Sequence, residues 1–187
     1  MALLPVTDAL ARILQGVSPL PGESISLDTA TGRVLAHPVS ARRDQPPFAA
    51  SAMDGYAVRH SDLTALPATL RIAGMSAAGH GFRKVVRAGE AVRILTGAPV
   101  PQGADTVVIQ ENTSRTGDDL IVHKAPDKGR NIRRAALDFA RGDLLLDAGL
   151  CLRPRDIGLA AAANAATVRV RRKPHVVLLT TGDELVQ

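Results

Sequence analysis

Four stretches hold side chains able to do chemistry, and the densest is Pro46-Pro47-Phe48-Ala49-Ala50-Ser51-Ala52-Met53-Asp54-Gly55-Tyr56-Ala57-Val58. It contains the only Tyr of the chain, one of its three Phe and one of its three Met, beside a single acid. The prolines force an extended approach, because each removes a backbone donor and disfavours helix in the residue before it. Asp54-Gly55 then reads as a turn in which Gly takes positive φ, which stands the Asp54 carboxylate at a bend between Met53 and Tyr56. A carboxylate so placed needs a partner. A plain turn cushioned by Phe48, Met53 and Tyr56 serves the same spacing as a functional carboxylate, and spacing alone does not decide between them.

The second stretch, Thr96-Gly97-Ala98-Pro99-Val100-Pro101-Gln102-Gly103-Ala104-Asp105, is a long turn between two apolar runs. The third, Gly129-Arg130-Asn131-Ile132-Arg133-Arg134, sets three guanidinium groups beside a flexible residue, a grouping able to grip phosphate or carboxylate bidentately, with Asp138 close behind. The fourth is Val176-Val177-Leu178-Leu179 followed by Thr180-Thr181-Gly182-Asp183-Glu184. It reads as a buried parallel strand ending in a glycine turn beneath a ligand site. A lone parallel strand has no sheet to join, so the expectation is a truncated chain, cut at the threshold of an α/β domain.

The elements that must position these groups follow from periodicity. Leu10, Ile13 and Leu14 give one apolar face to a first helix, capped by Thr7 or Asp8 and stopped by Gly16. Ile25 and Leu27 alternate with serines as in a half-buried strand, and a short helical turn is expected from about Asp28 to Leu35. From Val39 the texture changes to short runs at Leu70–Ile72, Ala91–Leu95, Thr106–Ile109 and Leu120–Val122, which reads as a small all-β module. Leu144–Leu146 is a further strand, Pro154 to about Ala166 an Ala-rich helix with Pro154 in its first turn, and Thr167–Val170 another strand.

Composition narrows the function classes. At 187 residues and 45% apolar the chain can form one large domain or two small ones. Aromatic residues are 2% with no Trp, which leaves few platforms for stacking bases and argues against single-stranded nucleic acid as a partner. No run approaches the roughly 20 apolar residues of a membrane span, so a cytoplasmic protein with no membrane partner is expected. The single Cys151 has no Cys with which to pair internally. The net charge of +5 sits in the last third, where residues 121–187 carry 12 basic and 7 acidic groups. Its two clusters, Lys124 to Arg141 and Arg169 to Lys173, suit either an anionic ligand or a solvated face.

Taken together and in order, Ser51-Ala52-Met53-Asp54-Gly55-Tyr56-Ala57-Val58, Thr96-Gly97-Ala98-Pro99 with Gly103-Ala104-Asp105, Gly129-Arg130-Asn131-Ile132-Arg133 and Thr181-Gly182-Asp183-Glu184-Leu185 resemble the molybdopterin molybdenumtransferase family, which includes bacterial MoeA and the C-terminal part of gephyrin. The resemblance implies an α+β, multi-domain fold. Residues 1–41 and 142–172 would form an elongated mixed first domain, 42–141 an inserted β-rich, barrel-like domain, and 173–187 the first strand of a truncated α/β molybdopterin-binding domain. It implies insertion of molybdate into adenylylated molybdopterin with release of AMP, by a parent protein whose fragment alone is inactive.

Carried onto this sequence, the family's cleft positions are Asp54, Thr96, Asp138 and Glu184, with Mg2+ held by Asp54 and Glu184. Arg130, Arg133, Arg134, Ser51, Gly182 and Asp183 would contact the substrate. A homodimer is implied, with molybdopterin adenylyltransferase as a further partner. Where the family commonly carries Gly-Glu-Asp, this chain has Ala136-Leu137-Asp138, and Ala tolerates positive φ poorly. Two other classes suit parts of the sequence: a gephyrin-like scaffold or receptor-binding module, which has no need of the four cleft residues, and a generic Mg-dependent phosphate-ester hydrolase, which leaves the specific motifs unexplained.

Overall fold

The computed structural model describes residues 4–179. In chain order the elements are α1 (Val6–Leu14), β1 (Gly22–Ser26), β2 (Val39–Ser40), β3 (Ala50–Ser51), β4 (Gly55–Val58), β5 (Ala68–Ser76) and β6 (Glu90–Ile94). There follow β7 (Thr106–Ile109), β8 (Thr113–Thr116), β9 (Asp119–Val122), β10 (Ile132–Arg133), β11 (Leu144–Leu146), α2 (Pro154–Ala162) and β12 (Thr167–Arg171). The fold is therefore mixed, mostly short strands with two helices, and its contacts divide into two compact units.

The first unit comprises Met1–Ser40 and Leu144–Gln187. Two antiparallel pairs build it, β1 with β12 and β2 with β11, and the first sets Ile25 opposite Val168. Leu35, Leu152, Ala160, Val168 and Val170 form its core with Leu27. Pro154 opens α2 at a position where its missing N–H costs nothing, and the Asp156 carboxylate accepts from the Arg153 N–H at 2.9 Å, satisfying a donor at the helix entrance.

Three expectations fail in this unit. The cap of α1 is Pro5 with no side-chain hydrogen bond, not Thr7 or Asp8, because the helix begins one residue before Thr7. The expected turn from Asp28 to Leu35 is only a 3-10 segment at Leu27–Thr29, capped by the Ser26 hydroxyl. Val176–Leu179, expected as a buried strand, pairs with nothing among the described residues and is 75–89% exposed, since a parallel strand needs flanking neighbours to complete its hydrogen bonds. The apolar face of α1 buries no residue either, with Ile13 at 72% exposure.

The second unit spans Ala41–Asp143. Its sheet has the order β7-β4-β6-β5-β9-β8, antiparallel except for the β5–β6 pair. The sheet was expected to be barrel-like, but the hydrogen-bonded order runs from β7 to β8 with no closing pair among the described residues. Alternation distributes side chains between two cores. Tyr56, Val58, Ala91 and Val108 pack on one side, and Ala57, Val92, Ile94 and Val107 on the other. All four residues of β4 are buried, so the motif that holds Asp54 runs directly into the centre of the sheet.

Candidate active-site loops around Asp54

The register of two antiparallel strands places the first two motifs together. Gly55, the first residue of β4, pairs with Ile94, the last of β6, so the residue before β4 and the turn after β6 emerge at the same end of the sheet. There Asp54 Oδ1 accepts from the Thr96 backbone N–H at 2.7 Å and from the Thr96 hydroxyl at 2.6 Å. The Asp54 carbonyl accepts from Gln110 N at 3.2 Å, which ties the same residue to the end of β7.

The loop beneath is built from buried polar contacts. Ser51 is fully buried, and its hydroxyl donates to the Met53 carbonyl at 2.6 Å. Its backbone exchanges bonds with the turn after β6, Ser51 N donating to Ala98 O and Gly97 N to Ser51 O, both at 2.9 Å. Ser51, expected to contact substrate, thus stands inside the loop as the brace of the Asp54 turn.

Gly55 is present for a different reason from the one its turn position suggested. It does not adopt positive φ, but a Cβ on it would sit 2.0 Å from the Val108 carbonyl oxygen of β7. Close approach of the neighbouring strand therefore demands glycine here.

Electrostatics fix the charge state of Asp54. The Thr96 hydroxyl first, and then the Thr96 N–H, hold the carboxyl of this exposed residue below 3.8, the ordinary value for the group; local desolvation opposes this and the positive charge of Arg93 assists. Arg93 was missed by sequence reasoning. It lies opposite Tyr56 in the β4–β6 ladder, its guanidinium 5.1 Å from the ring centroid, and donates to Gly55 O at 3.2 Å and Gln110 Oε1 at 2.7 Å. The one signal for it was a single cation inside the apolar run Ala91–Ile94.

The arginine stretch arrives beside this loop. β10 pairs with β3, setting Ile132 opposite Ser51 and Arg133 opposite Ala50, and Ala52 N donates to Asn131 O at 2.8 Å. Asn131 takes φ 63, a conformation that Asn tolerates, while its side-chain amide donates to Val107 O at 2.9 Å. Arg130, Arg133 and Arg134 are exposed and make no ion pair among the described residues. Asp105, at the end of the second motif, is engaged locally. Burial pushes its carboxyl up, but the His60 N–H at 2.6 Å and Lys128 at 3.3 Å bring it below the usual aspartate value.

Asp138 is held elsewhere. Its backbone N–H donates to Gln45 O at 2.9 Å, and Ala136 N to Pro46 O at 3.0 Å, so it is fixed at the start of the segment 45–51 while Asp54 lies beyond its end. The Asp138 side chain is exposed and has no hydrogen bond among the described residues. Ala136 keeps φ 57, in the left-handed region where glycine is at ease. Glu184, Gly182 and Asp183 lie outside the described residues.

These groups supply part of a magnesium site at most. Among the described residues no three His, Cys, Asp or Glu side chains gather to hold a metal. Asp54 offers one carboxylate oxygen, Oδ2, to which no donor is directed among the described residues, whereas magnesium takes six oxygens in an octahedron. Asp54 would supply one oxygen to such an ion, which is commonly held by one or two carboxylates with water and substrate phosphate completing the octahedron, and Glu184, the other expected ligand, lies outside the described residues. The arrangement does make an ionised acceptor, held on one oxygen and open on the other, beside a cationic strand.

Proteins of known name resemble this chain over most of its length. The chain is 38% identical over 187 residues to the molybdopterin molybdenumtransferase of Haemophilus influenzae, covering 99% of this chain and 46% of that protein. It is 38% identical over 168 residues to that of a Nostoc species, covering 88% and 38%. A crystal structure of the molybdopterin biosynthesis moeA protein from Pyrococcus horikoshii superposes with a TM-score of 0.85 at 34% identity, covering 92% of this chain and 47% of that one. The chain spans less than half the length of these relatives. The family model described as MoeA N-terminal region (domain I and II) matches residues 4–164, and the chain belongs to that family.

Proposed function

We propose that the protein to which this chain contributes acts in molybdenum cofactor biosynthesis, as a transferase that inserts molybdate into adenylylated molybdopterin and releases AMP. The names of the relatives and the family of the chain support the class of reaction. In this reading residues 1–41 with 142–172 and residues 42–141 are the first two domains, and 173–187 opens the domain that binds molybdopterin. The chain by itself is inactive.

The observation that carries the reading is the double hydrogen bond from Thr96 to Asp54. A carboxylate whose proton affinity is lowered is a poor general base near neutral pH, where efficient proton transfer wants a matched pKa. Asp54 instead serves as a permanently charged acceptor that orients a protonated oxygen of water or of the oxyanion. Its own charge would repel an anionic substrate, and Arg130, Arg133 and Arg134 on the neighbouring segment offset it. Magnesium, a homodimer, contact with molybdopterin adenylyltransferase and a cytoplasmic location belong to the same reading. Among the described residues no helix is long and apolar enough to cross a membrane.

The test uses a full-length protein containing this chain, supplied with adenylylated molybdopterin and molybdate. AMP release is expected, and Asp54→Ala, which removes one preorganised electrostatic group, is expected to slow it on the order of 100-fold or more. An unchanged rate in the variant removes Asp54 from the reaction. Absence of AMP release by the unaltered protein removes the reaction itself.

A further inference from the structure

A second site lies at the other end of β6. A cleft of about 480 Å³ is lined by Arg71, Ile72, Ala73, Phe82, Lys84, Val85, Arg87 and Glu90, within the size range of small-molecule sites. Its walls are β5, the start of β6 and the loop of residues 77–89. Glu90 begins β6 and Thr96 lies beyond its end, so about 20 Å of strand separates this cleft from Asp54.

The cleft is built by two irregularities of the parallel pair. The β5–β6 register shifts between Ile72 and Gly74, leaving Ala73 without a partner at the cleft wall. Glycine then stands in the middle of β5, where it cannot stiffen a strand. A Cβ on Gly74 would meet Phe82 Cε2 at 2.7 Å, so the missing side chain is what lets the Phe82 ring lie against the strand. The loop that brings Phe82 is pinned along its length. Ala77 and His80 exchange backbone bonds, Val86 N donates to Gln102 O at 2.8 Å, and Gly89 N donates to Asp62 Oδ2 at 3.0 Å.

The cations lining the cleft are exposed and are not ion-paired, although Asp119 stands opposite Arg71 in the β5–β9 ladder. Arg71, Lys84 and Arg87 make no ion pair and no side-chain hydrogen bond among the described residues. The only acid in the lining, Glu90, directs Oε2 to the Arg87 backbone N–H at 2.9 Å and to no cation. The lining is thus left with two positive charges in excess beside the apolar surfaces of Ile72, Phe82 and Val85. Two guanidinium forks and an ammonium match a phosphate better than a single-charged group.

We infer that this cleft binds a small organic phosphate, with its dianion among Arg71, Lys84 and Arg87 and an apolar ring against Phe82. The site is independent of the Asp54 reading, since it shares no residue with that loop and needs no molybdopterin. Both parts of the ligand contribute, so inorganic phosphate binds more weakly than the aryl phosphate.

The test titrates the whole 187-residue chain with phenyl phosphate and, separately, with inorganic phosphate, followed by backbone amide NMR. Phenyl phosphate is expected to give saturable shifts confined to residues 71–74 and 82–90, and to bind about tenfold more tightly than inorganic phosphate. Lys84→Gln with Arg87→Gln is expected to weaken phenyl phosphate about tenfold or more, its unperturbed spectrum elsewhere showing that it is folded. Arg42→Gln with Arg115→Gln, the same change of charge outside the cleft, is expected to leave binding unaltered. Non-saturating shifts, equal binding of the two phosphates, or equal weakening in both double variants each overturn the proposal.

Discussion

Asp54 and Asp138 are held in opposite ways at the two ends of the segment 45–54, which bends at residues 46–48 where the prolines suggested an extended approach. Asp54 is fixed by its side chain, with both donors of Thr96 on one oxygen, and it leads directly into a fully buried strand. Asp138 is fixed only through its backbone, at Gln45, and its carboxylate projects unengaged among the described residues. The first is preorganised within this chain, while any partner of the second has to come from elsewhere. Two carboxylates with equal standing in the sequence therefore carry different amounts of structure.

Substitutions in opposite directions at the two ends sharpen that contrast. Gly55→Ala should break the Asp54 end, because the added methyl meets a backbone oxygen that a paired strand cannot withdraw. A loss of about 3 kcal/mol in urea unfolding is expected. A variant as stable as the parent would show that β4 and β7 separate more readily than their register implies. At the other end, Ala136→Gly should stabilise by about 1 kcal/mol, since it relieves a left-handed alanine without disturbing its bond to Pro46. Destabilisation there would mean that the alanine methyl contributes packing that outweighs its backbone strain. Smallest is Asp138→Ala, expected to change unfolding by no more than about 0.5 kcal/mol because its side chain engages nothing described. A loss several times larger would reveal a structural role and collapse the difference between the two ends.

Much of the strand layout was legible. Thr106–Ile109 and Leu144–Leu146 match their strands residue for residue, and Leu70–Ile72 lies inside a longer one, because short β-branched and leucine runs between turn residues have little alternative. Asp54 and Thr96 were legible as motif positions, and their direct contact follows once Gly55 and Ile94 are in register. Register itself was not legible, which is why Arg93 was missed and Gly55 was assigned to a turn. Burial was the other gap. Periodicity marks an apolar face on α1 and an apolar run at Val176–Leu179, but it does not say what lies against them, and both are exposed. The cleft at Phe82 was invisible for a similar reason, since it depends on a strand irregularity between Ile72 and Gly74 that no local pattern announces.

Carboxyl NMR titration of Asp54, in the unaltered chain and in Thr96→Val, reads out whether Thr96 holds Asp54 as a charged acceptor. Because the folded group binds its proton less readily than the unfolded one, the stabilisation it gives is fully present above the ordinary aspartate value and is lost as pH falls through the lower, folded value. No effect of pH from this group is therefore expected near neutrality. A midpoint below 3.8 is expected in the unaltered chain, with a shift toward 3.8 in Thr96→Val, where only the backbone donor remains. A midpoint at or above 3.8, or the same midpoint in both proteins, would contradict a charged acceptor held by Thr96.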